Sequence, residues 1–138
     1  MTQATTSLPA PAPQINTESK KFWDATLEGK LLLPRCNSCQ SVIWFPREYC
    51  PECMSFEVTW FEASGKGKIY SYSITRRGQG DYQGIDGYVL AYVELEEGPR
   101  MLTNIVDADF ADIKVGKDVK VKFENTGKGA ALPRFTLA

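Results

Sequence analysis

The stretch of sequence that decides the fold runs from Cys36 to Cys53 and reads CNSCQSVIWFPREYCPEC. It contains two Cys-x-x-Cys motifs, Cys36 to Cys39 and Cys50 to Cys53, with ten residues between them. Each motif turns sharply enough to direct two thiolates at one point, and two facing motifs supply the four sulfurs of a tetrahedral zinc site. Because protein sulfurs then fill every position around the metal, no position is left for water, and the predicted metal is structural.

Three other uses of four cysteines compete with a zinc site. Two local disulfides are disfavoured because we expect a reducing compartment, and a thioredoxin-like redox pair needs a βαβ context that the pattern lacks. Iron in a rubredoxin-like site is compatible with the same four thiolates and stays open. A segment this short cannot bury a core of its own, so metal binding supplies its folding energy. We predict a zinc ribbon over residues 34–54, with Val42 to Phe45 as its strand.

The composition excludes whole classes of catalytic chemistry. The chain has 138 residues, of which 43% are hydrophobic and 24% charged, so it has room for one domain with at most a small satellite. Seventeen acids and sixteen bases give a net charge of −1, so no bulk positive field attracts nucleic acid or anionic membranes. The absence of histidine excludes Ser-His-Asp and Cys-His nucleophilic machinery, proton transfer by imidazole and every metal site that uses it.

The first sixteen residues have the composition of a flexible arm. Residues 1–16 are rich in Thr, Ala and Pro and contain few apolar anchors. They have neither the basic region nor the apolar run of a signal peptide, and no stretch of the chain approaches the ~18–20 apolar residues of a membrane helix. We therefore expect a cytoplasmic protein without membrane contact.

A helical segment is predicted over residues 17–33, with Gly29 where a helix would stop. Phe22, Trp23 and Leu27 share one side of it. Two interpretations stay open. This side packs on the chain's own domain, or it docks on a partner, since two large aromatic rings are a heavy apolar load for so short a helix.

Residues 55–138 predict short strands and no alternating helices, which is typical of a small antiparallel barrel. A single helical turn is allowed between residues 107 and 113. The predicted strands are Glu57–Glu62, Lys68–Thr75, Tyr88–Leu95, Arg100–Val106, Val119–Phe123 and Arg134–Leu137.

A loop of about twelve residues, Arg76 to Gly87, interrupts these strands and contains four glycines. Loops of this length in a compact domain are usually functional or disordered. Arg76 and Arg77 at its base, with Lys66 and Lys68 nearby in the chain, could meet phosphates. A plain solvated loop is the alternative.

Short motifs along nearly the whole chain carry a family resemblance. They are Leu27-Glu28-Gly29-Lys30, Leu33-Pro34-Arg35-Cys36, Phe45-Pro46-Arg47, Cys50-Pro51, Gly67 to Tyr72, Gly116-Lys117 and Leu132-Pro133-Arg134-Phe135. Together they resemble the acyl-CoA-associated zinc-ribbon/OB-fold family, also called DUF35, over about residues 17–138. The resemblance implies a mainly β protein with an N-terminal helix, a rubredoxin-like zinc ribbon and a C-terminal OB-fold antiparallel barrel over residues 55–138.

The resemblance also implies an accessory role. Family members assemble with thiolase-type enzymes, with hydroxymethylglutaryl-CoA synthase or with acyl-CoA hydratases, and the partner supplies the catalytic cysteine and histidine. We therefore expect a non-catalytic subunit of a heteromeric acyl-CoA thiolase or thiolase-like acyltransferase, which helps to bind the CoA thioester and stabilises the catalytic subunit. The alternatives are a subunit of a hydratase or synthase complex, or a protein that binds single-stranded nucleic acid. The near-neutral charge disfavours the last.

Specific residues follow from this expectation. Basic side chains are candidates for CoA phosphates and aromatic ones for packing beside adenine or pantetheine. The CoA candidates are Lys66, Lys68, Tyr70, Tyr72, Arg76, Arg77, Arg134 and Phe135. The candidates for the partner interface are Phe22, Trp23 and Leu27.

Overall fold

One short helix, a two-stranded ribbon and a five-stranded barrel make up the fold. The computed structural model describes residues 8–138. Its elements are α1 (Lys20–Thr26), β1 (Leu32–Cys36), β2 (Val58–Glu62), β3 (Lys66–Thr75), β4 (Tyr88–Leu95), β5 (Arg100–Ile105), β6 (Asp118–Asn125) and β7 (Ala131–Leu137), with 3₁₀ turns at Gly80–Tyr82 and Phe110–Asp112. The predicted mainly β architecture is confirmed.

Helix α1 ends where glycine permits a left-handed residue. Gly29 has φ of 73°, its N–H donates to the Thr26 carbonyl at 3.1 Å, and the Lys30 N–H donates to the Ala25 carbonyl at 3.0 Å. These bonds satisfy carbonyls that the helix end would otherwise leave without a partner. The chain then becomes extended, so Leu32 and Leu33, which fall within the predicted helical segment, belong to β1.

The ribbon differs from the prediction in which strands pair. β1 pairs antiparallel with β2, from Leu32 opposite Glu62 to Cys36 opposite Val58. The prediction placed this second strand in the barrel, but no barrel strand pairs with it. The predicted ribbon strand from Val42 to Phe45 is also wrong, because only Val42 forms an isolated bridge, with Arg35.

The barrel closes in the order β3-β4-β5-β7-β6, with β6 returning to β3. Alternation places one set of side chains inside; on β4 the buried residues are Val89, Ala91, Val93 and Leu95. All neighbours are antiparallel except β5 and β7, which are parallel and share a single paired position, Ile105 opposite Phe135. This seam leaves an outer groove beside β5 and β7, whose lining is described below.

The N-terminal arm is only partly covered by the described residues, since residues 1–7 lie outside them. Leu8 is buried on the domain. The Pro9 carbonyl accepts hydrogen bonds from Arg134 and Tyr82. The predicted flexible arm is therefore corrected at Leu8, which is buried, and at Pro9, which Arg134 and Tyr82 bind. None of the helices in the described part of the chain is long and apolar enough to cross a membrane.

Candidate metal centre and CoA-binding surface

The four cysteines converge on one point. Their sulfur atoms all lie within 4.8 Å of one another, with Cys36 Sγ 3.5 Å from Cys53 Sγ and Cys39 Sγ 3.6 Å from Cys50 Sγ. A tetrahedral site with metal–sulfur bonds of about 2.3 Å requires sulfurs about 3.8 Å apart. The cysteines are thus placed to hold one metal ion, and the donor set fits the group that the sequence predicts.

The two Cys-x-x-Cys turns are built alike. After each second cysteine stands a residue with left-handed backbone, Gln40 and Met54, both at φ of 67°. The Gln40 N–H donates to the Cys36 carbonyl at 2.9 Å, and the Met54 N–H donates to the Cys50 carbonyl at 2.7 Å. Each turn buries its first cysteine and exposes its second.

The electrostatics of the site favour a bound cation. The Ser41 hydroxyl lies 3.2 Å from Cys39 Sγ, and this contact lowers the pKa of Cys39 to about 6. At Cys53, a hydrogen bond from the backbone N–H of Ser55 lowers the pKa of the thiol. The opposite effects are larger: hydrogen bonding to the Cys36 sulfur, burial and the other two cysteines raise the pKa of Cys53 to about 12. Four thiolates this close repel one another, so a metal ion is needed to hold all of them ionised.

The aromatic side of α1 packs on the chain itself. Phe22 is fully buried and Trp23 is 8% exposed, and the Phe22 ring lies 5.2 Å from the Trp44 ring, edge to face. The predicted partner interface is therefore corrected for these two rings, which are already covered by the ribbon and barrel. Leu27, 48% exposed, keeps its place as an interface candidate.

Lys66 and Lys68 lie together at one end of the barrel. They line a cleft of about 660 Å³ that also contains Lys120, which β3 and β6 pair with Lys66. The acidic residues Glu94, Glu96 and Asp118 line the same cleft. The sequence argument missed Lys120, although its outward position in the alternating strand was available as a signal. Asp118 holds Lys68 by an ion pair of 2.6 Å, and hydrogen bonding to Lys68 lowers the pKa of the Asp118 carboxyl.

The tyrosines predicted to contact CoA are on the surface. Tyr70 is 48% exposed and Tyr72 is 38% exposed, and both follow Lys68 along β3. The Arg100 guanidinium lies 3.8 Å from the centre of the Tyr70 ring and is held there by Glu94, 3.0 Å from its Nε. One face of Tyr70 is therefore already stacked on a cation.

The two arginines of the long loop lie far from the lysine cleft. Arg76 and Arg77 follow the other end of β3, about 30 Å from Lys66 for a strand of this length. Arg76 lies 5.1 Å from the centre of the Phe110 ring. These arginines and the lysine cleft therefore cannot hold the same phosphate group.

Arg134 and Phe135 are buried, which overturns Phe135 as a ligand contact. Phe135 is 0% exposed and points into the barrel, so it cannot pack beside adenine or pantetheine. Arg134, on the opposite face of β7, is 2% exposed, because residues of the N-terminal segment and the long loop cover it. As placed, it does not reach a phosphate in solvent.

Two family models match consecutive parts of the chain. The model of the ChsH2 rubredoxin-like zinc ribbon domain matches residues 23–59, and that of the ChsH2 C-terminal OB-fold domain matches residues 60–124. The boundary between them falls at β2, the strand that the structure pairs with the ribbon.

Two curated relatives are similar to this chain over part of their own length. A probable enoyl-CoA hydratase alpha subunit from Thermomonospora curvata is 32% identical over 125 residues, covering 91% of this chain and 39% of that protein. A DUF35 domain-containing scaffold protein from Methanocaldococcus jannaschii is 39% identical over 90 residues, covering 64% of each. The chain thus spans less than two thirds of the length of either relative.

Solved structures share the fold. A chain of the Ltp2-ChsH2(DUF35) aldolase superimposes with a TM-score of 0.81 at 31% identity, covering 91% of this chain and 98% of that one. A DUF35 protein of unknown function from Sulfolobus solfataricus has the same fold, with a TM-score of 0.63 at 16% identity over 89% of this chain and 87% of that one. With its ChsH2-type zinc ribbon and OB-fold barrel, the chain belongs to the DUF35 family.

Proposed function

We propose that this chain is the non-catalytic, zinc-binding subunit of a heteromeric enzyme that acts on CoA thioesters, and that its catalytic partner is a thiolase-like subunit. One observation carries the proposal: the four cysteines of a chain without histidine all converge on one closed metal site. Thiolase chemistry needs a cysteine nucleophile and a base to activate it. The cysteine nucleophile, and a histidine base if one is used, would therefore come from another polypeptide.

The relatives support a role in a heteromeric enzyme. One is named as a chain of an aldolase with two components, and another as the alpha subunit of a probable enoyl-CoA hydratase. Others are named scaffold proteins. An aldolase or a hydratase is accordingly the alternative to a thiolase-like partner.

The metal in this proposal is zinc. Four thiolates in a closed tetrahedral set are the usual ligands of a structural zinc ion, which needs no open position. Thiols that remain unpaired also favour a reducing compartment, and we place the protein in the cytoplasm on that ground.

The CoA-binding part of the proposal rests on the lysine cleft. Lys66, Lys68 and Lys120 line it, and the exposed rings of Tyr70 and Tyr72 follow along the same strand. Ammonium groups suit the phosphates of CoA, and a tyrosine face suits adenine. Arg76 and Arg77 are proposed to meet a separate part of the ligand or the partner.

The lysine cleft can be tested by changing its charge without touching a lysine. Asp118→Asn removes the carboxylate that holds Lys68, and we expect it to tighten the binding of CoA a few-fold, measured by isothermal titration calorimetry at low salt. Asp112→Asn removes an acid that does not line the cleft and serves as the control. Equal affinity of the two variants and the unchanged chain would remove the cleft from the proposal.

The partnership is tested by co-expression with a thiolase-like subunit from the same genome. We expect a complex that survives size-exclusion chromatography, and thiolytic activity that requires both chains. Hydratase and aldolase subunits from the same genome are co-expressed with this chain in parallel experiments. A thiolase-like subunit that is fully active alone and does not bind this chain would contradict the proposal, while a complex in one of these parallel experiments would reassign the partner.

A further inference from the structure

Arg134 is a buried cation without a counter-charge among residues 8–138. It is 2% exposed, its guanidinium stays ionised in any protein environment, and none of the ion pairs among the described residues includes it. Its Nη2 donates to the Pro9 carbonyl and to the Tyr82 hydroxyl, the latter at 3.1 Å. Its Nε and Nη1 are buried and have no hydrogen-bond partner in the part of the chain that the structure describes. Burying an unpaired positive charge costs much free energy unless an anion pairs with it.

A groove in the outer face of the barrel reaches this arginine. It occupies about 350 Å³, within the range of small-molecule sites. Its floor follows the loosely closed seam between β5 and β7, where Leu102 and Asn104 face outward on one strand and Leu132 and Arg134 on the other. Phe22, Trp23, Trp44 and Phe45 line the groove as well.

Trp23, which lines the same groove, carries a second donor without a partner among residues 8–138. The indole Nε1 of Trp23 is buried and makes no hydrogen bond. Buried donors in folded proteins are nearly always satisfied, so two such side chains beside one cavity point to an acceptor that belongs there. The remaining lining is mostly aromatic and aliphatic, which suits an apolar body attached to that acceptor.

We infer that this groove binds a small amphipathic carboxylate, with its anionic head at Arg134 and its apolar chain along the aromatic residues. One guanidinium neutralises one negative charge, so a monoanionic carboxylate fits better than a phosphate dianion. Pro9 and Tyr82 contact the guanidinium, and residues 8–10 belong to no helix or strand, so a slender head group can replace the Pro9 carbonyl without disrupting regular secondary structure. The site lies within this chain, and it goes beyond the proposed function whichever catalytic subunit is the partner.

Octanoate is the probe, and the full-length metal-loaded chain is the sample. Trp23 and Trp44 line the groove, so intrinsic tryptophan fluorescence reports on its occupancy. We expect a saturable change with octanoate and an affinity at least about tenfold lower for octanol, which lacks the charge. Arg134→Met keeps the volume but removes the donors, and should also weaken octanoate at least about tenfold, with folding checked by circular dichroism.

A surface variant keeps the test decisive if Arg134→Met does not fold. Leu102 lines the groove and is 53% exposed, so Leu102→Glu should fold and repel the carboxylate. Val115→Glu, at a residue 66% exposed and outside the groove, is the matched control and should bind octanoate normally.

Four results would overturn the inference. Equal affinities for octanoate and octanol would mean an apolar groove without anion recognition. Tighter binding of octyl phosphate would assign a phosphate head. Equal binding by the Leu102→Glu and Val115→Glu variants would move the ligand elsewhere. The fourth result combines two measurements: the unchanged chain does not bind octanoate, and the Leu102→Glu variant no longer forms the complex with the catalytic subunit. The groove would then be a contact surface for that protein.

Discussion

At the scale of single residues, direction within a strand decides between core and ligand contact. The sequence assigns Phe135 and Tyr72 the same role beside a bound CoA, yet Phe135 is 0% exposed and Tyr72 38% exposed. We expect Phe135→Ala to lower the free energy of unfolding by about 3–5 kcal/mol, because it opens a cavity in the barrel. Tyr72→Ala should change it by no more than about 0.5 kcal/mol. Urea unfolding of metal-loaded samples measures both; a small loss in Phe135→Ala would show that this ring is not part of the core.

The metal ligands belong to the same scale. Cys39→Ser removes one of four sulfurs that lie within 4.8 Å of one another, so the bound zinc should fall well below one ion per chain, measured by elemental analysis after desalting. Glu52→Gln changes an exposed residue between two ligands and should keep its metal. If iron rather than zinc is found in the unchanged chain, the alternative of a rubredoxin-like iron site holds.

At the scale of elements, the long loop depends on a glycine for steric reasons. A Cβ placed on Gly78 would lie 2.2 Å from the Tyr82 carbonyl oxygen, and Tyr82 in turn contacts Arg134 and Pro9. Gly78→Ala should displace the loop, lower the melting temperature by several degrees and alter octanoate binding at Arg134. Gln79→Ala, next to it and exposed, is the control. An unchanged melting temperature and unchanged octanoate binding in Gly78→Ala would show that the loop accommodates a side chain at this position without displacing Tyr82.

Two elements show which secondary structure the local sequence can predict and which it cannot. The hairpin of β4 and β5 matches its predicted strands to within one residue, because alternating apolar residues flank a turn of Glu96, Glu97, Gly98 and Pro99. Val42 to Phe45 has equal strand propensity but lacks a continuous partner strand, and Trp44 packs against Phe22 instead. Propensity is local, whereas a strand requires a neighbour.

At the scale of the whole molecule, the metal and the barrel stabilise different parts. A small cluster at the metal site is formed by Cys36, Ile43 and Cys50 with Val58 against it, whereas the main core, which joins the barrel to α1 and to the ribbon residue Leu33, contains no cysteine. Removing the metal with a chelator should shift tryptophan emission to longer wavelength as Trp44 becomes exposed, while most of the far-ultraviolet circular dichroism remains. Adding zinc should reverse the shift. Loss of both signals in one transition would mean that the ribbon and the barrel unfold together.

The sequence by itself determined the four cysteines that converge on one site, the mainly β fold and the family, and it led to the proposal of a catalytic partner. These features follow from residue types and short spacings along the chain, which can be read without knowing any long-range contact. Only the tertiary structure decided that Phe22, Trp23, Arg134 and Phe135 are covered, that Lys120 joins Lys66, and that no described residue supplies a counter-charge to the buried Arg134. Burial and charge pairing depend on which distant segments meet, and that is set by the closure of the barrel and the packing of the ribbon on it.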